Sequence, residues 1–218
     1  METLKTLILN RFKILSILTI SMVLSIVLLM VRMKLNQSFY LLFLVWNLFL
    51  AVIPFAITTS LISKTKPNKI RLILSFGVWL LFLPNAPYIV TDLLHLNNSP
   101  QRLLWLDVLV IVSFAFNGLV LFMLSLSDME KLLKLYVKPQ FMFSIMLSIF
   151  GLTAFGIYLG RFLRYNSWEL LNNPIALFSD IMHILFQPNI EAWIFTLTFG
   201  AFLAMTYWTL KAFSNSKM

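Results

Sequence analysis

Two short stretches of this 218-residue chain carry residue types that do chemistry at a spacing that lets them act together. The first is Tyr88, Thr91, Asp92 and His95, which follows Pro84-Asn85-Ala86-Pro87. The second is Ser179, Asp180 and His183, which follows Asn173-Pro174. Both read hydroxyl-Asp-x-x-His. Residues three or four apart share a helix face, so an acid and an imidazole so spaced can pass a proton or ligate one ion. If the stretches meet, Asp92, His95, Asp180 and His183 form a donor set suited to Zn, Mn or Fe. If they do not, they are two interfacial helices whose polar faces look at water. No other cofactor is indicated.

Further candidates surround these. Pro84 and Pro87 lack backbone donors and strip helical partners from the carbonyls of Leu80 and Leu83. Broken helices of this kind build solute and ion sites in transporters, although a kink capped by Asn85 is the plainer reading. Asp107 and Asn117 fall inside an apolar run, where a carboxylate marks function by default. Asn47 is expected to hydrogen-bond to a neighbouring helix. Arg161 and Arg164, with Asn166 close behind, end another run. Those arginines can snorkel to head groups, pair with Asp92, Asp107 or Asp180, or clamp an anion. Gly156 and Gly160 form a GxxxG face for close helix packing.

The elements that must position these groups are greasy. Hydrophobic residues make up 60% of the chain and charged residues only 11%, with a mean hydropathy of +0.89, far from a soluble domain. Apolar segments fall at about 14–31, 39–62, 70–90, 103–126, 141–160 and 193–212. All but the third are long enough to cross about 30 Å of hydrocarbon. The third stops at Leu83 and crosses only by continuing through the prolines to about Val90. Pro54 is expected to kink the second. The fold class is therefore all-α: a single six-helix membrane domain with a broken third helix and two short interfacial outer helices. The basic start (Lys5, Arg11, Lys13) resembles a signal peptide, but the apolar run after it is too long and lacks a cleavage site.

Six crossings with both termini in the cytoplasm put 12 of the 17 lysines and arginines inside: Lys5, Arg11, Lys13, Lys64, Lys66, Lys69, Arg71, Lys131, Lys134, Lys138, Lys211 and Lys217. Arg32, Lys34, Arg102, Arg161 and Arg164 remain outside. A re-entrant third segment gives a weaker bias, so the positive-inside rule selects six. The +9 net charge is then explained by anionic lipid at the cytoplasmic face, and no nucleic-acid partner is required. Both histidines and most acids fall on the outer side. The absence of cysteine excludes disulfides and thiolate chemistry.

The blocks Trp79-Leu80-Leu81-Phe82-Leu83-Pro84-Asn85-Ala86-Pro87-Tyr88 with Thr91-Asp92-Leu93, Ser113-Phe114-Ala115-Phe116-Asn117-Gly118, and Gly156 to Arg164 with Asn166-Ser167-Trp168 resemble the bacterial membrane family catalogued as domain of unknown function 1361. The resemblance runs from about Trp46 to the last span. It implies a multipass protein of the cell envelope and supplies no activity. His183 is not among the residues that carry the resemblance. Three functions stay open: a small transporter or ion-coupled carrier, an envelope enzyme or metal-dependent protein using the Asp/His pairs, and a non-catalytic scaffold or accessory subunit.

Overall fold

The computed structural model describes residues 2–63, 68–165, 174–186 and 190–215. Its elements are helical, with no strand among the described residues. They run α1 (Glu2–Asn36), α2 (Phe43–Ile62), α3 (Lys69–Phe82), α4 (Asn85–Tyr88), two 3-10 helices (Ile89–Asn98 and Gln101–Leu103), α5 (Leu104–Leu133), α6 (Pro139–Arg161), α7 (Pro174–Phe186) and α8 (Ile190–Asn215).

Six helical stretches are long and apolar enough to cross a membrane: Arg11–Asn36, Phe43–Ile62, Lys69–Asn98, Gln101–Leu133, Pro139–Arg161 and Ile190–Phe213. Each contains or closely overlaps a span expected from hydropathy. Only 17% of the apolar window of α1 is buried within the protein, and Ile17, Ile20, Val23 and Leu24 are exposed. Such a surface is stable against lipid and costly against water.

The chain forms two compact units, residues 1–129 and 130–218. In the first, α2 packs on α3, on α4 and on the longer 3-10 helix. Asn68 starts α3 by accepting a hydrogen bond from the Ile70 N–H at 3.2 Å, an ordinary N-cap. The helix then breaks where the prolines require. The Leu83 carbonyl nevertheless accepts from the Ala86 N–H at 3.2 Å, and Pro84 accepts from Tyr88 at 3.0 Å. Asn85 Nδ2 donates to the Phe82 carbonyl at 2.9 Å. The expectation of a bare Leu83 carbonyl is thus corrected: one tight turn and one side-chain amide satisfy the break locally, as buried backbone demands.

After the break the chain does not resume as an α-helix. Ile89–Asn98 is 3-10, with three residues per turn. The core of this unit includes Leu44, Ala51, Trp79, Leu83, Ala86, Ile89, Val110, Ile111 and Phe114.

In the second unit α6 packs along α8. Phe150 lies 5.9 Å from Tyr207 and 5.7 Å from Trp208 between ring centroids. Near the other end, Tyr158, Ile184 and Ala192 form a small buried cluster with Phe195 against it.

Candidate polar site on the broken third helix

The 3-10 geometry decides which polar residues meet. At three residues per turn, positions i, i+3 and i+6 eclipse, so Asp92, His95 and Asn98 stand in one row and Tyr88 and Thr91 in another. The single stripe expected of an α-helix therefore splits. Thr91 turns inward and donates from Oγ1 to the Tyr88 carbonyl at 2.7 Å.

Asp92 is buried, only 1% exposed. Asn47 of α2 donates to its Oδ2 at 2.9 Å, which gives the expected interhelical bond of Asn47 its partner. His95 Nε2 faces Asp92 Oδ1 at 3.9 Å, and His95 Nδ1 lies 2.9 Å from the Tyr40 hydroxyl. That hydroxyl also accepts from Asn98 Nδ2 at 2.9 Å. The tautomer that satisfies these contacts has Tyr40 donating to Nδ1 and the ring proton on Nε2, toward the carboxylate. Phe43 packs on the imidazole at 4.8 Å. The histidine is partly exposed, so it joins a buried carboxylate to the outside of the unit.

Asp107 belongs to a different pair. Its partner is Arg32, near the end of α1. Arg32 Nε donates to Oδ1 at 2.7 Å and Nη2 to Oδ2 at 3.1 Å, a two-pronged fork of the strong type. Both side chains are buried. Arg32 Nη1 also donates to the Ser38 carbonyl at 3.0 Å. The Tyr40 N–H in turn donates to Ser38 Oγ at 3.3 Å. One guanidinium thus fixes the α1–α2 loop that carries Tyr40 to His95. Gln37 adopts a left-handed φ of 47° where α1 ends.

Deeper in the unit, Asn117 Nδ2 donates to Ser25 Oγ at 2.9 Å and to the Ser113 carbonyl at 2.9 Å. The adjacent Gly118 is pressed onto the helix break. A Cβ built on it would stand 2.3 Å from the Ala86 carbonyl oxygen, so only glycine fits there. At the far end of α5, Arg11 holds Asp128 with contacts of 2.5 and 2.8 Å and reaches Thr59 Oγ1 at 3.3 Å.

In the second unit Arg161 is half-buried in the last turn of α6, and Arg164 is exposed with a left-handed φ of 61°. That turn sends the Tyr165 N–H back to the Leu159 carbonyl at 3.1 Å. The Tyr165 hydroxyl then donates to Asp180 Oδ2 at 2.8 Å. His183 is exposed on α7. Asn166 lies outside the described residues. Among the described residues, no three histidine or acidic side chains group so as to hold a metal ion. Glu130 accepts from Tyr207, from Lys211 at 2.6 Å and from Lys134 at 2.8 Å.

Arg32, Tyr40, Asn98 and Ser25 were not candidates from sequence. Arg32 carried one signal: a cation just past an apolar run, on the side where the charge bias leads one to expect few cations.

Neither a curated protein nor a solved structure matches this sequence. A family does, over residues 46–206, described as "Protein of unknown function (DUF1361)". The match takes in the helix break, the Asn117-Gly118 pair and the Arg161 end of α6, and leaves out Arg32 and Tyr40 on the preceding segment. With six apolar helices and a match over more than half its length, the chain belongs to the DUF1361 family of proteins of unknown function.

Proposed function

We propose that this protein is a small ion-coupled carrier of the cell membrane, with both termini in the cytoplasm and proton exchange at Asp92 and His95. The observation that carries the reading is the buried Asp92 carboxylate on the 3-10 limb of a broken helix, facing a partly exposed histidine. A carboxylate at such a place is expensive and is a functional group by default. A histidine beside it gives protons a route in and out near neutral pH. Discontinuous helices serve as solute sites in carriers because irregular backbone is tolerated at depth only when it is covered by protein or lines a cavity.

A second reading is favoured by a specific observation. The fork pairs Arg11–Asp128 and Arg32–Asp107 would equally lock the helices of an accessory subunit that transports nothing. Proton flux separates the two. The full chain is reconstituted into liposomes with an entrapped pH-sensitive dye, and a potassium gradient with valinomycin makes the interior negative. The carrier reading expects protein-dependent acidification that is lost in Asp92→Asn. Wild-type liposomes no faster than empty ones would leave the accessory subunit.

A further inference from the structure

The side-chain carbonyl of Asn117 is not used by the proton site. Asn117 is 1% exposed, and its Oδ1 has no hydrogen-bond partner among the described residues. Its orientation is fixed. Both contacts of Nδ2 go to oxygens, Ser25 Oγ and the Ser113 carbonyl. Rotating the amide by half a turn would set Oδ1 against the Ser113 carbonyl, two acceptors face to face. An acceptor left bare inside a membrane helix costs free energy until something electropositive meets it.

The chemistry around it narrows what that is. The amide donors are spent, which disfavours an anion or a carbonyl compound. The oxygens near this level are neutral: Ser25 Oγ is bonded to the same amide, and the Ala86 carbonyl stands beside Gly118, the next residue. No charged residue occurs between Lys13 and Arg32 in α1 or between Asp107 and Asp128 in α5. Neutral oxygens replace the hydration shell of a monovalent cation, as filter carbonyls do. A divalent ion calls for carboxylates.

We propose that Asn117 Oδ1 is a ligand for a small monovalent cation, an alkali ion or ammonium, held between α1 and α5. The proposal rests on the carrier reading and names its solute class.

Equilibrium binding tests it without any transport. Thermal unfolding of the purified full chain in detergent is followed at constant ionic strength, with choline chloride replaced stepwise by NaCl, KCl or NH4Cl. The expected result is a saturable rise in Tm with at least one of the three, absent in Asn117→Ala. Equal Tm in all four salts, or a rise that survives in Asn117→Ala, overturns the proposal. Should Asn117→Ala fail to fold, Asn117→Asp decides: its anionic oxygen is expected to shift half-saturation to lower cation concentration, and an unshifted midpoint overturns the site. Cation-dependent stabilisation without proton flux in liposomes keeps the site and removes the carrier. Flux without cation dependence does the reverse.

Discussion

Arg32 and Asp107, 75 residues apart in sequence, close a buried two-pronged ion pair, and Arg11 and Asp128 close a second two-pronged pair that is partly buried. The spacing is identical on both helices: 21 residues from 11 to 32 in α1, and 21 from 107 to 128 in α5. At 1.5 Å per residue this is about 31 Å, close to the roughly 30 Å thickness of the hydrocarbon core. The two antiparallel helices are clasped at two points whose separation matches that thickness. Asn117 and Gly118 lie midway between the clasps.

Breaking either clasp on one side strands a charge. Asp107→Ala leaves the Arg32 guanidinium buried, and the expected loss of unfolding free energy is about 3–5 kcal/mol. Replacing both partners by apolar residues, as in Arg32→Met with Asp107→Leu, should recover most of it. Denaturant titration of the purified protein in detergent measures each step. A single variant as stable as the double one would deny the pair its buried character.

Gly118 offers a sharper steric test. Gly118→Ala drives a methyl into the Ala86 carbonyl, and relief requires movement of backbone. A loss of about 1–3 kcal/mol is expected for overpacking, enough to lower expression of folded protein. Gly151→Ala is the control, because a Cβ there meets nothing within 4 Å. That change should be neutral or stabilise by up to about 1 kcal/mol through helix propensity. Thermal unfolding of the two variants side by side gives the answer; equal behaviour would mean the break is not packed on α5.

Tyr40 is the hinge of the network that joins Asp92, His95 and Asn98. Tyr40→Phe deletes the hydroxyl shared by His95 and Asn98, and each bond is worth about 1 kcal/mol. Stability should therefore fall by about 1–2 kcal/mol. In the liposome assay the variant is expected to slow proton flux without abolishing it, since Asp92 and its Asn47 partner are untouched. Flux equal to wild type would remove Tyr40 from the route.

The six crossings and the break were legible because both are local signals. Hydropathy over about 20 residues marks a span, and two prolines mark an interruption. The facing of Asp92 and His95 was legible, because i and i+3 share a face in an α-helix and a 3-10 helix alike; most other polar partners were not, for two physical reasons. Helix partners such as Arg32 and Asp107 are joined by tertiary packing, which local spacing does not encode. The segment after Pro87 also winds with three residues per turn, so the α-helical spacing grouped Thr91 with Asp92 where the fold groups Asp92 with Asn98. Asn47 was readable as an interhelical donor because an amide in an apolar run has few other uses.

The sidedness proposed above rests on charge bias, and the absence of cysteine makes it easy to check. In intact cells, Asn98→Cys should react with an impermeant thiol reagent while Lys66→Cys stays protected. The opposite pattern would invert every assignment of inside and outside.

The carrier reading is tested most directly at the helix break. Asn85, half-buried beside Pro84, is replaced by cysteine and exposed to an impermeant thiol reagent, first in intact cells and then in inverted membrane vesicles. A carrier that opens its central site alternately predicts labelling from both sides, slowed when the small monovalent cation it binds is present. Protection from both sides, with Asn98→Cys labelled normally in the same cells, would contradict it and leave a sealed, locked helix bundle.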